Sequence, residues 1–275
     1  MKKHDVVVAG GGPTGLMLGA ELALAGVDAA IVERRPSQDL AGSRAGGLHS
    51  RTIEVFDMRG IADRFLSQGT TAQVGGFNMV ILPISDFPTR HPYGLALFQN
   101  RIERILAEWV EELGVPIYRS REVTGFTQND NGVDVTLSDS SSLRSEYLVG
   151  CDGGRSIVRK TAGIDFTGWD ATISWMIAEV EYTEEPAWGL RVDSHGNSQG
   201  IGKGDAGHAR IVLIEREMKS DEPTLDDLRK ALVDIYGTDF GVHSPIWISR
   251  FNDMSRQAAS YRNKRVLLAG DAAHV

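Results

Sequence analysis

The chain holds a single cysteine, Cys151, so no internal disulfide can form and no metal site can rest on a set of thiolates. That usage fits a reducing, cytoplasmic setting. Long apolar runs are missing too, which leaves no candidate membrane span. The start, Met1-Lys2-Lys3-His4-Asp5-Val6, imitates a signal peptide only briefly, because its apolar run is too short for a signal core. There is no excess of positive charge: 29 Lys and Arg face 37 Asp and Glu, a formal net charge of −8. This balance argues against a nucleic-acid or anionic-membrane partner. Repeats and low-complexity tracts are absent as well. What remains, 275 residues that are 41% hydrophobic and 24% charged, is enough for two globular domains with substantial cores.

Glycine is plentiful, and its placement is informative. Val6-Val7-Val8-Ala9 leads into Gly10-Gly11-Gly12-Pro13-Thr14-Gly15. A strand over Asp5–Ala9, a helix over Pro13–Ala25 with Gly26 as its stop, and a strand over Val27–Glu33 are expected. Together they make the roughly thirty residues of a βαβ crossover. Gly10 suits the tight turn, Gly12 lets backbone amides approach a pyrophosphate, and Gly15 lets the helix pack on the strand. The start of the helix offers unpaired N–H groups to an anion. Glu33, about twenty residues on, can accept hydrogen bonds from a ribose. FAD and NAD use the same fingerprint, so this unit alone does not separate them. At the other end, Arg265-Val266-Leu267-Leu268-Ala269 reads as a buried parallel strand that delivers Asp271 to the same crevice.

Between these ends, Ser50–Phe56 and the stretch after Gly60 to Phe65 read as helical, and Val74–Arg90 as extended. Gln99–Leu113 is an amphipathic helix with Ile102, Ile105, Leu106, Trp109, Val110 and Leu113 on one face. Glu122–Gln128 and Val133–Ser138 form a hairpin around Asn129-Asp130-Asn131-Gly132. Leu143–Cys151 is a strand closing on Asp152-Gly153-Gly154. From Phe166 to Tyr261 strands dominate (Ala171–Tyr182, His208–Glu215, His243–Phe251), with one helix, Leu225–Tyr236, capped by Thr224. The expected fold is α/β: a Rossmann-like nucleotide domain with an inserted mixed β-sheet domain. Its segments are 1–72, 98–165 and 262–275 for the nucleotide domain, and 73–97 and 166–261 for the inserted one.

Four segments, VVVAGGGPTGLMLGAELALAG, SRAGGLHSRTIEVFDMRGI, YLVGCDGGRSIVRKTAGIDF and YRNKRVLLAGDAAHV, occur in order. In these the chain resembles the class A flavoprotein monooxygenases typified by para-hydroxybenzoate hydroxylase, and most of all the aromatic polyketide hydroxylase and rifampicin monooxygenase branch. The resemblance implies that FAD binds at Gly10, Gly12, Pro13, Thr14 and Gly15. It further implies that Glu33 and Arg34 hold the adenosine ribose, that Arg44 reaches the pyrophosphate or ribityl region, and that Gln99 contacts FAD. Val123 would meet the adenine through its backbone, and Asp152-Gly153 with Ser156 and Arg159 would serve FAD and NADPH. Asp271 would bind ribityl or ribose hydroxyls.

By residue type alone, Arg44 can also be read as a solvated loop charge, Gln99 as a polar residue opening its helix, and Asp152 as the stabiliser of its own turn. Cys151, His49 and His274 read as structural. The implied reaction is hydroxylation of an aromatic substrate with NAD(P)H and O₂ through a flavin hydroperoxide, and no protein catalytic residue or metal is assigned. A related flavin-dependent reductase and a truncated, non-catalytic FAD-binding module are the alternatives. Phe77, Met79, Trp175, Trp188, Trp247 and Phe251 are candidate walls for an apolar pocket that suits a large planar substrate. In the resembling family a further helix follows the Gly-Asp-Ala-Ala-His segment, so part of that fold is expected to be absent here.

Overall fold

The computed structural model describes residues 2–40, 42–43, 45–77, 80–215, 217–219 and 221–275. Five strands lie parallel in the spatial order Val266–Leu268, Ser142–Gly150, Lys2–Ala9, Ala29–Glu33 and Ile117–Arg119. Val6–Ala9 and all of Ala29–Glu33 are buried, which a parallel sheet requires because both of its faces are covered. One face packs on the helices Pro13–Leu24 and Gln99–Glu112 through Leu16, Ala20, Ile102, Ile105, Leu106 and Val110. The other face packs on the strands Val123–Asn129 and Gly132–Leu137 and on the short helix Ile157–Thr161. The expected helix and strand ends hold within a residue or two here, except that the first strand begins three residues earlier, at Lys2; Ile117–Arg119 and Ile157–Thr161 are elements the sequence reading does not include.

The hairpin turn is tighter than expected. Asn129 and Gly132 themselves pair across it, because the Asn129 side chain accepts a hydrogen bond from the Asn131 N–H at 2.9 Å and closes the turn locally.

A second sheet is antiparallel, in the order Gly189–Val192, Ser198–Lys203, Ala209–Glu215, Ser174–Glu181, His243–Asn252. The helix Leu225–Tyr236 covers one face, meeting Met176, Ala178, Ile211 and Leu213 through Leu228 and Leu232. Thr224 caps its start, as the sequence suggests, and the structure adds Asp227 as the other half of a capping box. The hairpin Gly189–Val192/Ser198–Lys203 has no clear counterpart in the sequence pattern. Its outer strand is exposed throughout and its inner strand holds two glycines, so apolar alternation never develops. Gly47–Leu48 pairs with Gly94–Ala96 in a small sheet completed by Thr70–Ala72. Among the described residues, no helix is long and apolar enough to cross a membrane.

Candidate functional site

Three chain segments converge at the carboxyl ends of the parallel strands. The Cys151 N–H donates to the Ala9 carbonyl at 2.7 Å, which seats Asp152-Gly153 against the first glycine turn. Gly10 has φ +105°, and a Cβ there would overlap the Cys151 carbonyl, so this position admits only glycine. A Cβ on Gly15 would overlap the Gly10 carbonyl, since the helix lies directly on the turn. Gly270 packs on the Thr14 side chain, which brings Asp271 to the start of the same helix.

Gly12 differs from its neighbours. Its backbone is extended (φ −76°, ψ −176°), and a Cβ built on it meets nothing within 4 Å. The fold does not require glycine there, because the position fronts an open space before the helix start. No side chain caps that helix N-terminus, so its N–H groups face the opening.

Glu33 is buried at the edge of this space. Its carboxylate accepts from the Gly11 N–H at 2.6 Å, the Arg35 N–H at 2.8 Å and Arg35 Nε at 3.0 Å. Arg34, expected beside it, points to solvent instead, because alternation along the chain turns Arg35 inward. Arg35 Nη1 also pairs with buried Glu103 at 2.9 Å. Glu103 in turn accepts from Gln38 Nε2 at 2.7 Å and Gln99 Nε2 at 2.8 Å. Arg35, Gln38 and the partnership of Glu103 were not anticipated. The signal available was the four-residue spacing of Gln99 and Glu103, which puts both on one helix face beside Ile102 and Leu106.

Burial alone would raise the Glu33 carboxyl, but the Arg35 contacts and the Gly11 N–H outweigh it and hold it below its ordinary value of 4.5. Because the folded-state value lies below the unfolded one, Glu33 contributes stability in full above pH 4.5, and that contribution is lost as pH falls through the folded-state value. Denaturant titrations from neutral pH to below 4 are expected to show a smaller acid-induced loss of stability in Glu33→Gln than in the parent. Equal slopes would remove Glu33 from the acid response.

Gln99 opens its helix with its N–H directed at Ser43 Oγ (2.6 Å) and the Ala45 carbonyl (3.1 Å). The segment that carries Arg44 is thereby fastened to Gln99 on both sides of that residue, while Arg44 itself lies outside the described residues. Asp152 does two things: Oδ2 accepts from the Ile157 and Val158 N–H groups at 2.8 and 3.1 Å, and Oδ1 is buried without a partner among the described residues.

Ser156 accepts from the Arg159 N–H and caps the short helix. The buried Arg159 guanidinium donates to the Gly154 and Ala272 carbonyls, both at 2.9 Å, and lies over the Phe166 ring. Val123 is buried two residues beyond Arg121, whose N–H donates to the Glu33 carbonyl. Asp271 is exposed, and its carboxylate receives no hydrogen bond from the described residues. Burial, with the Asp152 charge adding, pushes the Cys151 thiol up to about 12, which makes it inert at neutral pH. His49 precedes the helix Ser50–Met58, and His274 bridges to Gln257; both act in the backbone framework.

The candidate pocket walls divide. Trp175 and Phe251 stack at 5.3 Å between ring centroids. They share the face of the second sheet turned away from the helix Leu225–Tyr236 with Trp247, which pairs in register with Glu179, four residues along from Trp175. Trp188 sits elsewhere, edge-on to Tyr182 beside the helix-side core. Met79 and the Phe77 side chain lie outside the described residues.

The chain belongs to the FAD binding domain family, whose model matches residues 3–275. It is 44% identical to the rifampicin monooxygenase of Streptomyces venezuelae, over 98% of this chain and 59% of that protein. It is 35% identical to the dialkyldecalin synthase of Streptomyces rugosporus, over 98% of this chain and 59% of that one. The solved structure of OxyS, the anhydrotetracycline hydroxylase from Streptomyces rimosus, superimposes with a TM-score of 0.91 at 39% identity, covering 99% of this chain and 57% of that one. The chain thus spans under three fifths of the length of these relatives.

Proposed function

We propose that the protein is a flavin-dependent monooxygenase that hydroxylates an aromatic substrate of the polyketide or antibiotic type, using NAD(P)H and O₂ in the cytoplasm. The observation that carries this reading is the meeting of three strand ends, at Gly10–Gly15, Asp152 and Asp271, around a space that the fold leaves open at Gly12. An FAD fits what these residues lack: the uncapped helix start wants an anion, Asp271 has an unbonded carboxylate, and Asp152 Oδ1 is buried without a donor.

In this assignment the amides at Gly12–Gly15, with Pro13 and Thr14 beside them, take the pyrophosphate. Glu33 accepts from the adenosine ribose while Arg35 keeps it ionised, and Asp271 accepts from ribityl hydroxyls. Gln99 and Arg44 would contact the cofactor as well, and Val123 would meet the adenine through its backbone. When bound, the flavin supplies the redox chemistry, taking electrons from NAD(P)H and using O₂ as oxidant. The residues of this chain bind, orient and exclude water. The stacked Trp175–Phe251 pair offers a flat apolar wall for a planar ring system. Segments 73–97 and 166–261 form the substrate part in this scheme, and 1–72, 98–165 and 262–275 the cofactor part.

Because one relative is named a synthase, the nucleotide motifs do not by themselves fix the reaction. The deciding experiment measures the flavin spectrum of the purified protein, then NADPH oxidation and O₂ uptake with planar polyketide aromatics. Bound flavin with substrate-dependent O₂ uptake is expected. Flavin without O₂ uptake would favour a reductase or synthase, and no flavin at all would leave a non-catalytic module. Asp271→Ala is expected to weaken FAD binding about ten- to hundredfold, the worth of a charge-linked hydrogen bond, with little change in thermal stability. Unchanged flavin affinity would take Asp271 out of the site.

A further inference from the structure

The segment that carries Arg44 begins at Gly42 and ends at Gly46, and an aromatic ring sits against each end. A Cβ on Gly42 would overlap the Trp247 indole, and a Cβ on Gly46 would touch the Phe98 ring at 3.5 Å. The Arg210 guanidinium reaches both rings, 5.0 Å from the Phe98 centroid and 5.9 Å from that of Trp247. The indole is fixed in turn: its Nε1 donates to Glu179 Oε2 at 3.4 Å, and Glu179 Oε1 accepts from the Asp205 N–H at 3.2 Å. Arg101, on the helix that Gln99 opens, bonds Asp205 at 2.9 Å. The segment around Gly42 and Gly46 with residues 98–101, and the face of the second sheet turned away from its helix, thus meet at the Trp247 indole, at Arg210 and at the Arg101–Asp205 pair.

We propose that Trp247 is a positioning residue for the Gly42–Gly46 segment, a backstop on the substrate-side sheet that sets where Ser43 and Ala45 meet Gln99. The Gly42 contact supports this more directly than a general packing role would. Gly42 is not in a helix or strand, and the neighbour that a side chain there would strike is the indole alone among its nearest atoms. Glycine at 42 lets the backbone lie flat on the ring, as a ring–backbone contact of this closeness requires. The consequence for FAD retention rests on the assignment of Arg44 and Gln99 to the cofactor given above; the consequence for the segment itself does not.

Two readouts separate these. The first is the rate of tryptic cleavage of the 44–45 bond in flavin-free full-length protein, followed as the peptide beginning at Ala45. The second is FAD affinity. Gly42→Ala is expected to speed cleavage and weaken FAD about tenfold each, the usual scale of an overpacked contact. Trp247→Ala is expected to speed cleavage by itself, while Trp247→Phe, which keeps a ring, stays near the parent.

In the double variant Gly42→Ala/Trp247→Ala, the added methyl is expected to cost nothing beyond Trp247→Ala alone, because the ring it struck is gone. Cleavage of Gly42→Ala at the parental rate, an equal penalty from Gly42→Ala in both backgrounds, or rapid cleavage of the parent would each overturn the proposal. Should Gly42→Ala not fold, the contrast between Trp247→Ala and Trp247→Phe decides it. A parent that binds no FAD, with the cleavage pattern as expected, would refute the cofactor assignment and leave the positioning role standing.

Discussion

Replacing Gly12 with valine is expected to give a folded protein that retains almost no FAD. The two halves of that result have separate causes. On the side of stability, Gly12 has an extended backbone that any residue adopts, and a Cβ there meets nothing within 4 Å. Valine even favours such a conformation. On the side of binding, the vacant volume lies in front of the uncapped helix start, where a pyrophosphate must approach backbone amides closely. An isopropyl group there displaces the anion from several N–H donors at once. Losing two such charge-assisted bonds at about 1.5–3 kcal/mol each weakens FAD by at least about a hundredfold. Gly10→Ala provides the contrast: its Cβ would overlap the Cys151 carbonyl, so it should lower the unfolding midpoint whether or not flavin is present. A Gly12→Val protein that unfolds, or one that keeps parental FAD affinity, would show that the opening is not the pyrophosphate site.

The two glycines illustrate what the sequence could and could not reveal. Their spacing after a strand and before a helix identified the turn, and the runs Asp5–Ala9 and Val27–Glu33 read as strands of one βαβ unit; the buried cores of both, Val6–Ala9 and Ala29–Val32, are near-continuous apolar stretches, as burial on both faces requires. The spacing assigned Gly10 to the turn, Gly12 to the ligand and Gly15 to helix packing; what it could not show is what lies across the turn, the carbonyl of Cys151, far away in sequence. The acid network failed for a similar reason. Arg34 and Arg35 are indistinguishable by type, and only the strand's alternation past Glu33 decides which turns inward toward Glu103. The hairpin Gly189–Val192/Ser198–Lys203 was illegible because an exposed, glycine-bearing edge carries no hydrophobic period. Trp247 was legible as an aromatic on a strand, but its contact with Gly42 exists only once two distant segments have met.

The same dependence on distant partners makes Arg159 a residue whose loss should cost the fold heavily. It comes from the short helix Ile157–Thr161, yet its guanidinium reaches the Gly154 carbonyl on one side and the Ala272 carbonyl on the other, both at 2.9 Å. Burial draws its pKa below the usual arginine value while the Asp152 charge opposes that, so the cation is maintained in a site it would otherwise avoid. Arg159→Ala leaves two carbonyls without donors, at about 1–3 kcal/mol each, and removes the contact with the Phe166 ring. The expected loss is about 3 kcal/mol, read as a lower denaturant midpoint at unchanged slope. Arg159→Lys should recover only part of it, since an ammonium lacks the planar fork that spans both carbonyls. The effect on FAD should run in parallel, because Gly154 follows Asp152 and Ala272 follows Asp271, and both acids lose their shared tether together. A variant with parental stability would mean that the backbone bonds from Cys151 to Ala9 and from Ala273 to Gly270 hold these segments without help from the side chain.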